Sequence, residues 1–155
     1  MPRSGRVIEG MTAADIIAAA RACLGAPWRH QGRSIETGLD CAGLAVHVAS
    51  AVDCEVIDAS GYGRSPAGGQ IEALLDAQPC LVRVLEIAER QPGDMLLMRF
   101  AGVSEPQHLA VLCDDGLIVH AWAAVRKVAE HRADADWLSK VASIVRVYRF
   151  AGLEP

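Results

Sequence analysis

No C-x-x-C pair occurs among the five cysteines, Cys23, Cys41, Cys54, Cys80 and Cys113, so neither a zinc ribbon nor a disulfide framework is indicated. Their odd number and wide spread fit free thiols made in a reducing cytoplasm. Positive charge is not in excess either. Fifteen Lys/Arg stand against nineteen Asp/Glu, for a net charge of −4, and no basic cluster overrides it, which removes the electrostatic case for a nucleic-acid partner. The opening Met1-Pro2-Arg3-Ser4-Gly5-Arg6 leads into no long apolar run, so neither a secretory signal nor membrane insertion is expected. The glycine-rich stretch from Asp58 to Gly69 is a loop by composition. No Gly-Lys-Ser/Thr follows it, so a phosphate cradle is not supported, and Tyr62 and Arg64 read as surface residues. Repeats, low-complexity tracts and linkers are lacking too. The 155 residues therefore read as one domain, 1–155, large enough to bury a core without disulfides or metals.

What the chain does have is Gly38-Leu39-Asp40-Cys41-Ala42-Gly43-Leu44-Ala45, followed by Val46, Val48 and Val52 at helical spacing. Asp40 suits an N-cap, whose carboxylate accepts from a free backbone N–H of the first turn. Cys41 then falls at the helix start, where the macrodipole favours a thiolate. Such a cysteine is a candidate nucleophile. A small core residue is the other reading, and the octet alone leaves both open.

Around this stretch, Thr12-Ala13-Ala14-Asp15 resembles a capping box, and the helix it starts runs through Leu24 to a stop at Gly25 and Pro27. Trp28 to Arg33 reads as a polar loop leading to the Cys41 helix, which should end near Ala51. Gln70 to Ala77 forms a short helix. Beyond Pro79 come short apolar runs: Leu81–Ile87, Met95–Phe100, His108–Cys113, Leu117–Trp122, Val125–Ala129 and Val145–Phe150, with a short helix over Ala133–Ser139. Helices first and an antiparallel sheet second make an α+β fold.

Asp114-Asp115-Gly116 is a hairpin turn, and a turn centred on Asp114 sets His108 and His120 across from each other. Facing imidazoles suit a base and the group that fixes its tautomer. His131 reads as solvated in a charged loop, His30 as solvated, and His47 as lying on the wrong side of its helix. Cys41 with both histidines could also hold zinc, but no fourth ligand is evident, so no metal or other cofactor is expected.

Ala26-Pro27-Trp28-Arg29, Gly32, Gly38-Leu39-Asp40-Cys41-Ala42-Gly43-Leu44, Pro92-Gly93-Asp94, Gln107-His108-Leu109-Ala110-Val111 and Ile118-Val119-His120-Ala121, in this order, resemble the NlpC/P60 family. The likeness is greatest to its phage cell-wall peptidase branch, found in phage tails and gene transfer agents, and runs from about Thr12 to Phe150. It implies a papain-like fold and cysteine peptidase action on peptidoglycan stem peptides, at the γ-D-glutamyl–diamino-acid bond. By that resemblance Cys41 is the nucleophile, His108 the base and His120 its orienting partner. Asp40 would also bind the free amine of the substrate, and the Cys41 N–H would serve the oxyanion hole. Trp28 stands where the family usually has tyrosine, and Ala42 where it usually has serine, so both mark the substrate-binding side as different. The implied partners are stem peptides and tail or tail-tip hub proteins. A cytoplasmically made enzyme would then act in the periplasm or wall after delivery by a particle. A tail-tip structural subunit of the same fold and an intracellular muropeptide-recycling peptidase are the alternatives.

Overall fold

The computed structural model describes residues 10–58 and 69–154. The expectations for Tyr62, Arg64 and the loop over 59–68 concern residues outside these.

Helix α1 (Ala13–Arg21) starts as its sequence dictates: the Asp15 carboxylate accepts from the Thr12 backbone N–H at 2.9 Å and from the Thr12 hydroxyl at 3.1 Å. It buries Ile16, Ile17 and Ala20. It ends at Arg21 rather than Leu24. Tight turns from Cys23 N–H to Ala20 O and from Leu24 N–H to Arg21 O unwind it toward Gly25, whose φ of 85° only glycine adopts freely.

The segment expected to be a plain loop is knitted instead. Strands β1 (Arg33–Ser34) and β2 (Gly38–Leu39) pair antiparallel, and Leu39 exchanges backbone hydrogen bonds with Pro27 and Arg29. This braces the entry to α2 (Cys41–Ala51), which runs to the expected end. Helix α3 (Gln70–Asp76) follows and buries Leu75.

The second half is a six-stranded antiparallel sheet. Its strands are β3 (Leu81–Val84), β4 (Met95–Phe100), β5 (His108–Leu112), β6 (Leu117–Trp122), β7 (Lys127–Arg132) and β8 (Ala142–Phe150), in the spatial order β3-β8-β4-β5-β6-β7. Helix α4 (Ala135–Lys140) precedes β8, which returns to lie between β3 and β4. One face, with Met95, Leu97, Leu109, Val111 and Val119, shares a core with α1 and α2. The other, with Leu96, Met98, Ala110, Leu112 and Ile118, is covered by Trp137 and Leu138 of α4. Both faces are therefore dry over β4 and β5, so these strands read as unbroken apolar runs rather than alternating ones. The α+β architecture is the one the sequence predicts.

The Pro-Gly-Asp turn before β4 has a structural task. Asp94 is buried, and Arg149 of β8 holds both its oxygens at 2.9 Å while the Gln91 N–H donates to it at 2.7 Å. A carboxylate leaves water at acceptable cost only with such charge-assisted partners. The pair fixes the start of β4 to the end of β8, away from the histidines on β5 and β6.

Candidate active site

Helix α2 delivers Cys41 in its first turn because Asp40 holds the chain in an extended conformation and caps the helix beyond it. Asp40 Oδ1 accepts from the Gly43 N–H at 2.8 Å, and Oδ2 from the Gln31 N–H at 2.8 Å. Arg33 adds a guanidinium hydrogen bond at 3.1 Å, and the carboxylate is buried. The cap role is thus met in full, and a substrate amine would have to share oxygens that already have protein donors.

Gly43 matters for a second reason. A Cβ there would overlap the Gly32 carbonyl oxygen, and one on Gly32 would overlap the Gly38 carbonyl, so the loop and the helix start are stacked backbone on backbone. Gly43→Ala is expected to push the 29–33 loop off the helix and cost about 1–3 kcal/mol of stability. Thermal denaturation checks this, and an unchanged midpoint would mean the stacking is dispensable.

The half-buried Cys41 Sγ lies 3.8 Å from the Gln107 carbonyl oxygen, and the Leu109 N–H also faces it, so the thiol sits at the start of β5 around His108. The macrodipole argument predicts a lowered thiol pKa. The opposite holds: burial, with the Asp40 carboxylate adding to it, pushes Cys41 up to about 11. The N–H groups of Leu109, Ala42 and Cys41 favour the thiolate but are outweighed. The cap that makes the helix start also repels a negative sulfur beside it. Ionising this thiol at neutral pH would take a base.

The hairpin that carries the histidines is registered differently from expectation. Val111 pairs with Val119 and Leu112 with Ile118, which centres the turn on Asp115, not Asp114. Asp115 takes a left-handed φ of 56° and Gly116 one of 71°, which closes the turn one residue later. His108 and His120 are then diagonal rather than opposite. The resulting shift of two residues keeps both on one face. Their rings meet: His108 Nε2 and His120 Nδ1 are 2.6 Å apart, and both residues are buried.

His131 is the residue that sequence reasoning missed. It lies in β7, not in a loop, and its Nε2 is 2.8 Å from His120 Nε2. The charges of Lys127, Glu130 and Arg132 hid a strand whose alternate residues return to the histidine face. Trp122 stacks on His120 at 5.1 Å, and Trp137 of α4 stands edge-on to it at 6.2 Å, closing the relay from above. Burial holds His108 down to about 4, helped by His131, and lowers His120 further. At neutral pH the thiol of Cys41 and the imidazoles of His108 and His120 are accordingly all uncharged.

Trp28 is half-buried, bridged to Leu39 and hydrogen-bonded through its backbone N–H to the Arg126 carbonyl, beside the strand leading into the Cys41 helix. Ala42 faces a small apolar cavity of about 60 Å³ shared with Ala45, Leu75, Met95 and Leu109. His30 is half-buried rather than solvated, and His47 on α2 is half-buried too. Among the described residues no group of three or more His, Cys, Asp or Glu side chains is arranged to hold a metal ion. Among them also, no helix is long and apolar enough to cross a membrane.

Residues 25–146 match the sequence model of the NlpC/P60 family. No curated protein matches the chain. Among solved structures, an NlpC/P60 family protein from Bacillus cereus is 20% identical with a TM-score of 0.66, over 92% of this chain and 41% of that one. This chain thus spans about two-fifths of that relative. The peptidoglycan hydrolase RipB of Mycobacterium tuberculosis is 18% identical with a TM-score of 0.61, over 99% of this chain and 70% of its own. RipD of the same organism, described as a non-catalytic NlpC/p60 domain protein adapted to peptidoglycan binding, is 16% identical with a TM-score of 0.55, over 90% and 96%.

Proposed function

The chain belongs to the NlpC/P60 family, and from that premise we propose that it is a cysteine peptidase of bacterial cell-wall stem peptides, with Cys41 as nucleophile, His108 as base and His120 as its orienting partner. The observation that carries this is the placement of the Cys41 thiol at the start of β5, where His108 is bonded to His120 at 2.6 Å. His108 spends Nε2 on His120, so Nδ1 is the nitrogen left to take the thiol proton. As the proton leaves, Sγ attacks the scissile carbonyl and the oxygen becomes an oxyanion. The first N–H groups of a helix have no intrahelical acceptor. Gly43's is used by Asp40, and those of Cys41 and Ala42 point toward the thiol, so they are placed to receive that charge. One such donor typically lowers the barrier by ~3 kcal/mol. His108 then returns its proton to the leaving amine, and water, activated by the same imidazole, hydrolyses the thioester.

The γ-D-glutamyl–diamino-acid bond is the substrate bond in this reading, supported by the order and spacing of the family motifs. Delivery by a phage tail or gene-transfer particle, with a tail-hub protein as partner and the wall as site of action, is supported by the motif likeness to that branch. RipD favours keeping a second reading, a wall-binding or tail-tip subunit with the fold but little activity. A soluble stem peptide, L-Ala-γ-D-Glu-diaminopimelate-D-Ala, separates them by mass spectrometry. Cleavage between D-Glu and diaminopimelate is expected. An intact peptide, with folded protein and reduced thiol, would overturn the peptidase reading in favour of the second.

A further inference from the structure

The relay does not stop at two histidines. From His108 Nε2 it passes to His120 Nδ1 at 2.6 Å, from His120 Nε2 to His131 Nε2 at 2.8 Å, and from His131 Nδ1 to the Arg132 carbonyl oxygen at 3.0 Å. A carbonyl oxygen only accepts, so among singly protonated rings the last link fixes the direction of all the others. His131 Nδ1 carries a proton and donates it to Arg132 O. With its one proton on Nδ1, His131 offers the lone pair of Nε2, and His120 must fill it with Nε2–H. His120 Nδ1 is left as an acceptor, and His108 must donate Nε2–H to it. His108 Nδ1 is thereby left with a lone pair, the state a general base needs.

We propose that His131 is a positioning residue, which through His120 holds His108 in the tautomer able to take the Cys41 proton. The inference rests on the peptidase reading above for its catalytic meaning, although the relay itself does not. Two features make it a built arrangement rather than a chance contact. His131 is placed by ladder geometry: its β7 position pairs with Ile118, two residues from His120 on the same face. Its ring is also held by aromatic neighbours, Trp137 at 4.9 Å and Trp122 at 5.6 Å, which limit its rotation. Without His131, His120 Nε2–H faces no acceptor in the relay. The imidazole can then take its other tautomer, which forces His108 Nδ1 to carry the proton. By analogy with the outer partners that orient metal-ligating histidines, such a residue is worth about 10- to 100-fold.

Two-bond ¹H–¹⁵N correlation spectra of the three rings at neutral pH test the relay, with His131→Leu and His131→Gln assayed for kcat and KM on the stem peptide. The expected wild-type result is His108 and His120 as Nε2–H tautomers and His131 as the Nδ1–H tautomer. His131→Leu is expected to mix the His108 tautomers and to lower kcat by about 10- to 100-fold with KM little changed. His131→Gln, whose amide oxygen can accept the same bond, is expected to restore most of both. A wild-type His108 found as the Nδ1–H tautomer would overturn the proposal, as would an unaltered His108 ring and kcat in His131→Leu. Wild type that cleaves no stem peptide would instead count against the peptidase reading, and the spectra alone would then decide the relay.

Discussion

With His108 replaced by glutamine, hydrolysis of the stem peptide at pH 7 is expected to fall by about 10³- to 10⁴-fold, with the fold intact. The size follows from the thiol. Burial and Asp40 push Cys41 up to about 11, so without a base only about one molecule in 10⁴ carries a thiolate at pH 7. The pH dependence identifies the cause. In the variant, kcat/KM is expected to rise about tenfold per pH unit as hydroxide takes over the work of the base, levelling near the thiol's own ionisation at about 11. Wild type should lack that slope between pH 7 and 9. Parallel slopes in the two proteins would show that His108 does not ionise Cys41. A helix start is often credited with making a cysteine reactive; here desolvation outweighs the helix, and in the proposed mechanism the imidazole supplies the difference.

The second large effect is on stability in mild acid. His108 is held down to about 4 in the folded protein, against an ordinary value of 6.5, first by burial and then by its proximity to His131. The unfolded chain therefore binds a proton at a higher pH than the native state does. Lowering the pH from about 6.5 toward 4 favours the unfolded chain, and stability that is fully present above pH 6.5 is lost on the way down. For His108 the loss comes to about 3 kcal/mol. His120, lowered further by burial and by its histidine neighbours, adds to it. Asp76, drawn down by its Tyr148 hydrogen bond and by Arg146, loses its contribution only below its ordinary 3.8. Urea unfolding at pH 7 and pH 4.5 measures the difference, with a lower midpoint at similar slope expected in acid. Equal midpoints would mean that the imidazoles are not held neutral by burial.

These expectations depend on burial, which is where sequence and structure part company. Asp40, Cys41 and the extent of α2 were legible because a cap, a small-residue entry and a helical apolar spacing all sit within one short stretch. Strands β4 and β6 were legible because turn residues bound each run. Arg33–Leu39 was not, since its two-residue strands owe their existence to Pro27, Arg29 and Leu39 backbone bonds that no local pattern encodes. The hairpin register slipped because Asp114 and Asp115 are equivalent on paper. The left-handed conformation of Asp115 chooses between them. His131 was lost for a similar reason: charged neighbours imitate a loop, whereas here they belong to an edge strand. The thiol's shift needed the third dimension as well, because it comes from desolvation and a neighbouring carboxylate rather than from position along the helix.

Cysteine peptidase action itself is tested most directly by a digest of purified diaminopimelate-type sacculi with wild type and Cys41→Ala, compared by mass spectrometry of the released fragments. New stem-peptide fragments ending in D-Glu are expected from wild type and none from Cys41→Ala. The same fragments from both proteins, or none from either when folded and reduced, would contradict a cysteine peptidase built on Cys41.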